Sequence, residues 1–128
     1  MKRMPQEIEV WHVLPAIRRE LASSLIKDCG YTQKQAARTL EITEAAISQY
    51  LSHKRAAKVS FDKRVLKEIK LSAKSVAAGT PVIGEMQRLT DLPAVRELVC
   101  AMHKKEDHLP ADCALCSYTA KKKLLRIS

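Results

Sequence analysis

The chain has few aromatic residues, few glycines and no long hydrophobic run. Aromatic side chains make up 4% of its 128 residues, and three residues are glycine. No apolar run is long enough to span a bilayer. The segment 1–11 also lacks the apolar stretch of a secretory signal peptide. We therefore expect no membrane partner and a cytoplasmic protein.

Patterns on which many enzymes depend are also missing. The sequence contains no glycine-rich phosphate loop, and no pair of carboxylates stands out for acid–base work. Cys113 or Cys116 could act as a nucleophile with a nearby histidine as base, but no other feature supports catalysis. No pattern indicates a pocket for a metabolite. We expect that the protein is not an enzyme.

Basic residues and helix formers are abundant. Lysine and arginine number 23 against 14 aspartates and glutamates, which gives a net charge of +9. This excess favours an anionic partner. Alanine, leucine, lysine, arginine and glutamate are frequent, which favours helices. The composition therefore favours helix, and together with the segments described next it predicts an all-α fold of five to seven helices with little or no strand.

Capping residues, prolines and glycines divide the chain into helical segments. Apolar residues recur at helical spacing between these signals, as at Ile17, Leu21 and Leu25. The predicted starts and stops are Pro15, Gly30, Thr32, Thr43, Ser60 or Asp62, Gly79, Thr80-Pro81 and Pro93. We divide the chain near Gly79 into a DNA-binding part, residues 1–79, and a helical arm with a cysteine site and a basic tail, residues 80–128.

The segment Tyr31 to Arg55 predicts two short helices joined by a tight turn. Ala36 and Ala37 are small enough to let the two helices pack closely. The second helix would begin after Thr43 and show a polar outer face, and its end is basic. The residues expected to form one small core are Leu40, Ile42, Ile47 and Leu51.

This segment resembles the helix-turn-helix of Cro/cI-type (XRE-family) transcriptional regulators. The residues before it, VWHVLPAIRRELASSLIKDCGYTQKQAARTL, are similar to those of a group of small archaeal regulators, and this likeness extends to the cysteine-bearing end. The motif covers about Trp11 to Arg55. The turn of the family usually carries glycine where this chain has Glu41, so a left-handed conformation there would cost on the order of 1 kcal/mol.

The motif assigns DNA contacts by position. The backbone would be contacted by Gln33, Lys34 and Thr43, and also by Lys54, Arg55 and Lys58. Base edges would face the second helix, because glutamine can pair with adenine, glutamate can accept from cytosine and an alanine methyl can touch thymine. The residues expected to face the bases are Glu44, Ala45, Ser48 and Gln49.

Proteins of this class bind double-stranded DNA as two-fold dimers. We therefore expect a homodimer whose dimer interface lies after Lys58.

The alternative to a DNA-binding motif in residues 31–55 is an ordinary helical hairpin within a core. Tyr50 could stack on a sugar or phosphate, or it could be a half-buried tyrosine. The run Lys121–Lys123 is expected to be a solvated surface, with contact to DNA as the alternative.

Four residues near the end have the spacing of metal ligands. They form the pattern C-x2-H-x9-C-x2-C, in which each pair can place two donors on one metal. Zinc accepts such a set, and three thiolates can equally hold an iron–sulfur cluster with a further ligand such as His108. Cys29 could be a ligand, but a buried cysteine at a helix end is the expected role. The predicted ligands are Cys100, His103, Cys113 and Cys116.

Two functions follow from these patterns. The favoured one is a DNA-binding transcriptional regulator that senses redox state, oxygen or iron through an iron–sulfur cluster. The resemblance to regulators of anaerobic archaea favours the cluster over zinc. The alternative is a DNA-binding or antitoxin-like adaptor protein with a structural zinc site.

Overall fold

The computed structural model describes residues 4–52, 54, 59–106 and 108, and all of the regular secondary structure in these ranges is helical. The predicted all-α class is confirmed. None of the described helices combines the length and the hydropathy that a bilayer crossing requires. The helices are α1 (Pro5–Ile8), a π-helical turn (Glu9–Val13), α2 (Leu14–Lys27), α3 (Gln33–Leu40), α4 (Glu44–Leu51), α5 (Lys63–Ala77), α6 (Val82–Thr90) and α7 (Pro93–Glu106).

The first helix begins ten residues before the predicted start at Pro15, because α1, the π-helical turn and α2 form one continuous helical segment. Pro5 is in the first turn, where its missing N–H costs nothing. The π-helical turn ends with the Leu14 N–H donating to the carbonyl of Glu9, directly before Pro15. A proline lacks the N–H for an α-helical bond, and the wider turn accommodates it inside the helix.

Local capping explains the two helices of the predicted motif. The Thr32 hydroxyl accepts a hydrogen bond from the Gln35 N–H at 3.1 Å, and the Gln35 side chain accepts one from the Thr32 N–H at 2.8 Å. The Thr43 hydroxyl accepts from the Ala46 N–H at 3.0 Å and starts α4. Both predicted caps are confirmed, and each satisfies a backbone donor that a helix start leaves without a partner.

The turn between α3 and α4 places Glu41 in the left-handed region, with φ of 57°. The N–H of Ile42 donates to the carbonyl of Ala37 at 3.0 Å, and the Glu41 N–H donates to the carbonyl of Arg38 at 3.3 Å. These two bonds form a Schellman motif, which normally has glycine at the left-handed position. The turn after α5 has glycine at its position of positive φ, since Gly79 has a φ of 112°.

Replacing Glu41 by glycine should therefore stabilise the protein. Glycine removes the clash of the Cβ atom in the left-handed conformation, so we expect a gain of roughly 0.5–1 kcal/mol in the free energy of unfolding. Urea titration followed by circular dichroism measures this gain. The control is Lys67→Gly in the exposed middle of α5, which should lose about 1 kcal/mol. A Glu41→Gly variant as unstable as the control would contradict the prediction.

Helix α5 begins at an aspartate cap. One Asp62 carboxylate oxygen accepts from the Val65 N–H at 3.0 Å, and the other accepts from the Arg64 guanidinium at 3.1 Å. The hydrogen bond from Val65, followed by that from Arg64, lowers the pKa of Asp62. Of the two predicted starts, Ser60 and Asp62, the structure has the second.

This lowered pKa gives Asp62 a defined effect on stability. Its contribution is fully present above the pKa of an unfolded aspartate and is lost as the pH falls through the lower pKa of the folded protein. Asp62→Asn keeps a side-chain oxygen for the cap and removes the charge. We expect the variant to be less stable than the wild type at neutral pH and the difference to shrink in acid. Urea titrations of both proteins across this range test it, and parallel stability curves would contradict it.

One buried core joins the helices on both sides of Gly79. Helix α2 packs against α3, α4, α5 and α6, and α7 packs against α1 and α6. Ile17, Leu21 and Ile69 belong to the same cluster of buried residues as Leu89 and Val99, although the last two lie beyond Gly79. The described helices of residues 80–128 thus share the core of residues 1–79. The assignment of separate functions to the two parts stays a prediction.

Polar contacts add to this core where α5 meets α6. The Arg88 guanidinium donates to the Glu68 carboxylate at 2.8 Å, to the Ser72 hydroxyl at 2.6 Å and to the Glu85 carboxylate at 3.1 Å. The hydrogen bond to Glu68 is the largest cause of a raised pKa at Arg88. Asp91 and Arg96 form an ion pair across the next turn. The Arg88 contacts with Glu68 and Ser72 link α6 to α5, and the Asp91–Arg96 pair links the end of α6 to α7.

Candidate nucleic-acid interface and metal site

The outer face of α4 is formed by four exposed residues. At 100° per residue, the positions i, i+1, i+4 and i+5 fall within one arc of a helix. The opposite arc packs inward, since Ala46, Ile47 and Tyr50 are buried. The predicted exposure of this face is confirmed for Glu44, Ala45, Ser48 and Gln49.

Helices α3 and α4 pack against each other above a shared apolar core. Ala36 and Ala37 on α3 are buried and belong to the main core. Leu40 and Ile47 are also buried there, while Ile42 and Leu51 pack against it from partly exposed positions. These are the residues that the sequence predicts to hold the motif together. The result is a polar face of α4 supported from behind by an apolar layer.

The start of α3 and the end of α4 carry the predicted backbone contacts. Gln33, Lys34 and Thr43 are all exposed. Lys54 is exposed as well, and its N–H donates to the carbonyl of Gln49 at 2.9 Å, which places it at the end of α4. Two of the predicted phosphate contacts, Arg55 and Lys58, lie outside the described residues.

Tyr50 does not lie on the exposed face. It is 4% exposed, so of its two alternatives the structure favours a buried tyrosine over one that stacks on a sugar or phosphate. Its position follows from helical periodicity, because it is three residues after Ile47 and four after Ala46, which are both buried.

Helix α5 carries a row of exposed lysines on its outer face. Lys63, Lys67, Lys70 and Lys74 are exposed and repeat every three or four residues, which places them on one face of the helix. The acidic Glu68 of this helix is turned toward Arg88 instead. The excess positive charge of the sequence is thus concentrated partly on this outer face.

The predicted metal ligands fall into two groups. Cys100 and His103 lie one turn apart on α7, where Cys100 is half-buried and His103 is buried. Their spacing puts both donors on the same face of the helix. Cys113 and Cys116 lie outside the described residues. Within the part of the chain that is described, no three potential ligands come together at one point.

Two further candidate ligands lie apart from this pair in sequence. Cys29 has a free thiol and lies in the turn after α2, which is the expected place at a helix end, but it is half-buried where the sequence predicts a buried residue. His108 is exposed and has a positive φ of 55°. Metal binding by Cys29 or His108 stays a prediction.

A groove beside the motif is not predicted by the sequence pattern. Its volume is about 890 Å³, and it lies between the π-helical turn, the α3–α4 turn and α6. Because these three segments are far apart in the chain, no local motif indicates the groove. The signal that could have found it is an apolar surplus in the opening helix, where Val10 and Trp11 remain exposed.

In comparisons with known proteins, no protein-family model, no curated protein and no solved structure matches the chain. Its function is therefore inferred from the geometry of the described residues and from the sequence motifs.

Proposed function

We propose that the protein is a sequence-specific DNA-binding transcriptional regulator of the Cro/cI (XRE) type that acts as a homodimer. The observation that carries the proposal is the exposed polar face of α4, whose opposite face is buried and which packs against α3. A helix of this kind fits the major groove, and its side chains have the chemistry that reads base edges.

The surrounding charges support the same partner. The start of α3 presents backbone N–H groups and Lys34 toward solvent, and a helix N-terminus of this kind can bind a phosphate. Lys54 lies just after the end of α4, the proposed reading helix. Cations at both ends of the motif would hold the duplex along α4, and the affinity would fall with salt.

Selection from a random library of duplexes tests this proposal and identifies the operator in the same experiment. We expect enrichment of a motif that is repeated with two-fold symmetry at about one helical turn, or roughly 34–36 Å between half-site centres. Sedimentation of the complex should show two protomers on one duplex. Binding that retains no sequence preference after repeated rounds would overturn the proposal.

We further propose that Cys100 and His103, together with Cys113 and Cys116, hold an iron–sulfur cluster. The two described donors fit this group, since a thiol and an imidazole one turn apart on α7 can approach a single centre. The cluster would supply a redox-sensitive or oxygen-sensitive input. The cluster can change the affinity for DNA only if the protein has two conformations that differ in DNA binding and if the cluster binds one of them more tightly.

Purification without oxygen separates this proposal from the structural zinc of an adaptor protein. A brown protein with broad visible absorption and bound iron supports the cluster, while a colourless protein with one zinc supports the adaptor. Cys100→Ser should abolish the absorption and make DNA binding insensitive to oxygen. Cys29→Ser is the matched control and should keep both properties. An oxygen response that survives Cys100→Ser would refute the sensing role.

A further inference from the structure

The groove beside the motif leaves large apolar side chains in contact with water. Trp11 is 55% exposed and Ile83 is 67% exposed, and both line it. Leu14, Pro15 and Met86 extend the apolar wall between them. A volume of about 890 Å³ lies within the range of small-molecule sites, roughly 300–1,000 Å³. An apolar ligand would cover surface that the protein alone leaves hydrated.

The π-helical turn supplies part of this wall. Glu9 and Trp11 both belong to the turn and both line the groove, and Pro15 follows directly after it. Turns of this type inside α-helices are frequent at functional sites. The irregular turn that accommodates Pro15 thus also provides the aromatic face of the groove.

The charge of the groove is opposite to that of the whole chain. Two carboxylates, Glu9 and Glu41, line it together with one guanidinium, that of Arg18. The groove therefore carries an excess of negative charge in a protein whose net charge is +9. An indole ring beside carboxylates favours a positively charged ligand, because the face of the ring attracts cations.

We propose that this groove is a binding site for a lipophilic organic cation. The apolar part of such a ligand packs against Trp11, Met86 and Ile83. Its positive charge lies near Glu9 and Glu41. Neither carboxylate has a role in the contacts that the proposed function assigns to DNA.

A ligand in the groove would contact both the reading helix α4 and the turn before it. Leu40, Glu41 and Ile42 of the α3–α4 turn line the groove, and so does Tyr50 of α4. A ligand that favours one arrangement of this turn changes the affinity for DNA by the same factor as DNA changes the affinity for the ligand. This coupling rests on the proposed function, whereas the binding site itself does not.

The fluorescence of Trp11 provides the test, because it is the single tryptophan of the chain. The probe is tetraphenylphosphonium, and tetraphenylborate is its control, since the two ions have the same shape and opposite charge. We expect saturable quenching by the cation, with an affinity about tenfold or more above that for the anion. Equal or tighter binding of the anion would overturn the proposal, because the net charge of the protein alone favours that result.

Charge-neutral variants locate the bound cation. Glu9→Gln and Glu41→Gln should each weaken its binding by about three- to tenfold. The control is Glu7→Gln. Glu7 belongs to the same helical segment but does not line the groove, so this variant should leave the affinity for the cation unchanged. Unchanged affinity in both groove variants would refute the site. Ile83→Asp serves as a second check, because conversion of a dimer to monomers by this change would show that a second protomer covers the groove.

A final titration separates the site from its regulatory effect. The duplex selected above is titrated with protein in the presence and absence of tetraphenylphosphonium. A change in DNA affinity that disappears in Glu41→Gln supports coupling through the turn. Quenching without any change in DNA affinity retains the ligand site and refutes the coupling. Quenching by a protein that binds no DNA refutes the proposed function alone.

Discussion

Replacing Gln49 by alanine should weaken binding to the selected operator by about 5- to 150-fold. A bidentate contact between a glutamine and an adenine is worth roughly 1–3 kcal/mol of discrimination, and alanine cannot make it. Gln49 is exposed on α4, so the fold should not change. Fluorescence anisotropy with labelled duplexes measures the affinity for the operator and for a scrambled sequence. We expect the affinity for the scrambled sequence to stay constant.

The matched control is Gln6→Ala, which removes the same exposed side chain from α1. This variant should bind both duplexes like the wild type. Lys34→Gln should give the opposite pattern, because loss of a phosphate contact lowers the affinity for every sequence. The slope of log affinity against log salt concentration should fall in magnitude by about one. If Gln49→Ala kept the full preference for the operator, α4 would not be the reading helix.

Features that depend on neighbouring residues could be predicted from the sequence. Thr32, Thr43 and Asp62 each cap a helix through the backbone N–H of a residue in the first turn that follows. Such bonds need no tertiary structure, so the residue type and its spacing are sufficient. The outward direction of Gln49 follows in the same way, because the buried Ala46 and Ile47 fix the rotation of α4.

Features that depend on distant packing could not be predicted. Pro15 has the residue type expected near a helix start, yet α1 and the π-helical turn continue the helix in front of it. Contacts of α1 with α7, near the other end of the described chain, favour this arrangement. The groove has the same origin, since Trp11 and Ile83 line one groove only when α6 is packed on α2.

Truncating Leu89 should destabilise the whole protein by about 2–5 kcal/mol, which is a large part of the 5–15 kcal/mol that typically holds a domain together. Leu89 is fully buried in α6, and α6 packs against both α5 and α2. The alanine variant leaves a cavity in a core that contains residues from both sides of Gly79. Urea titrations that follow helix content and Trp11 fluorescence measure the effect.

The two probes report on different parts of the molecule, and their agreement decides how the chain is organised. Trp11 lies in the π-helical turn of the opening segment, whereas helix content averages over all helices. If residues beyond Gly79 share one cooperative core with those before it, Leu89→Ala shifts both transitions equally. The control Ile83→Ala changes an exposed residue of the same helix and should shift neither by more than about 0.5 kcal/mol. A Leu89→Ala variant that lowered the helix transition and left the Trp11 transition in place would show that the helical arm unfolds separately from the motif.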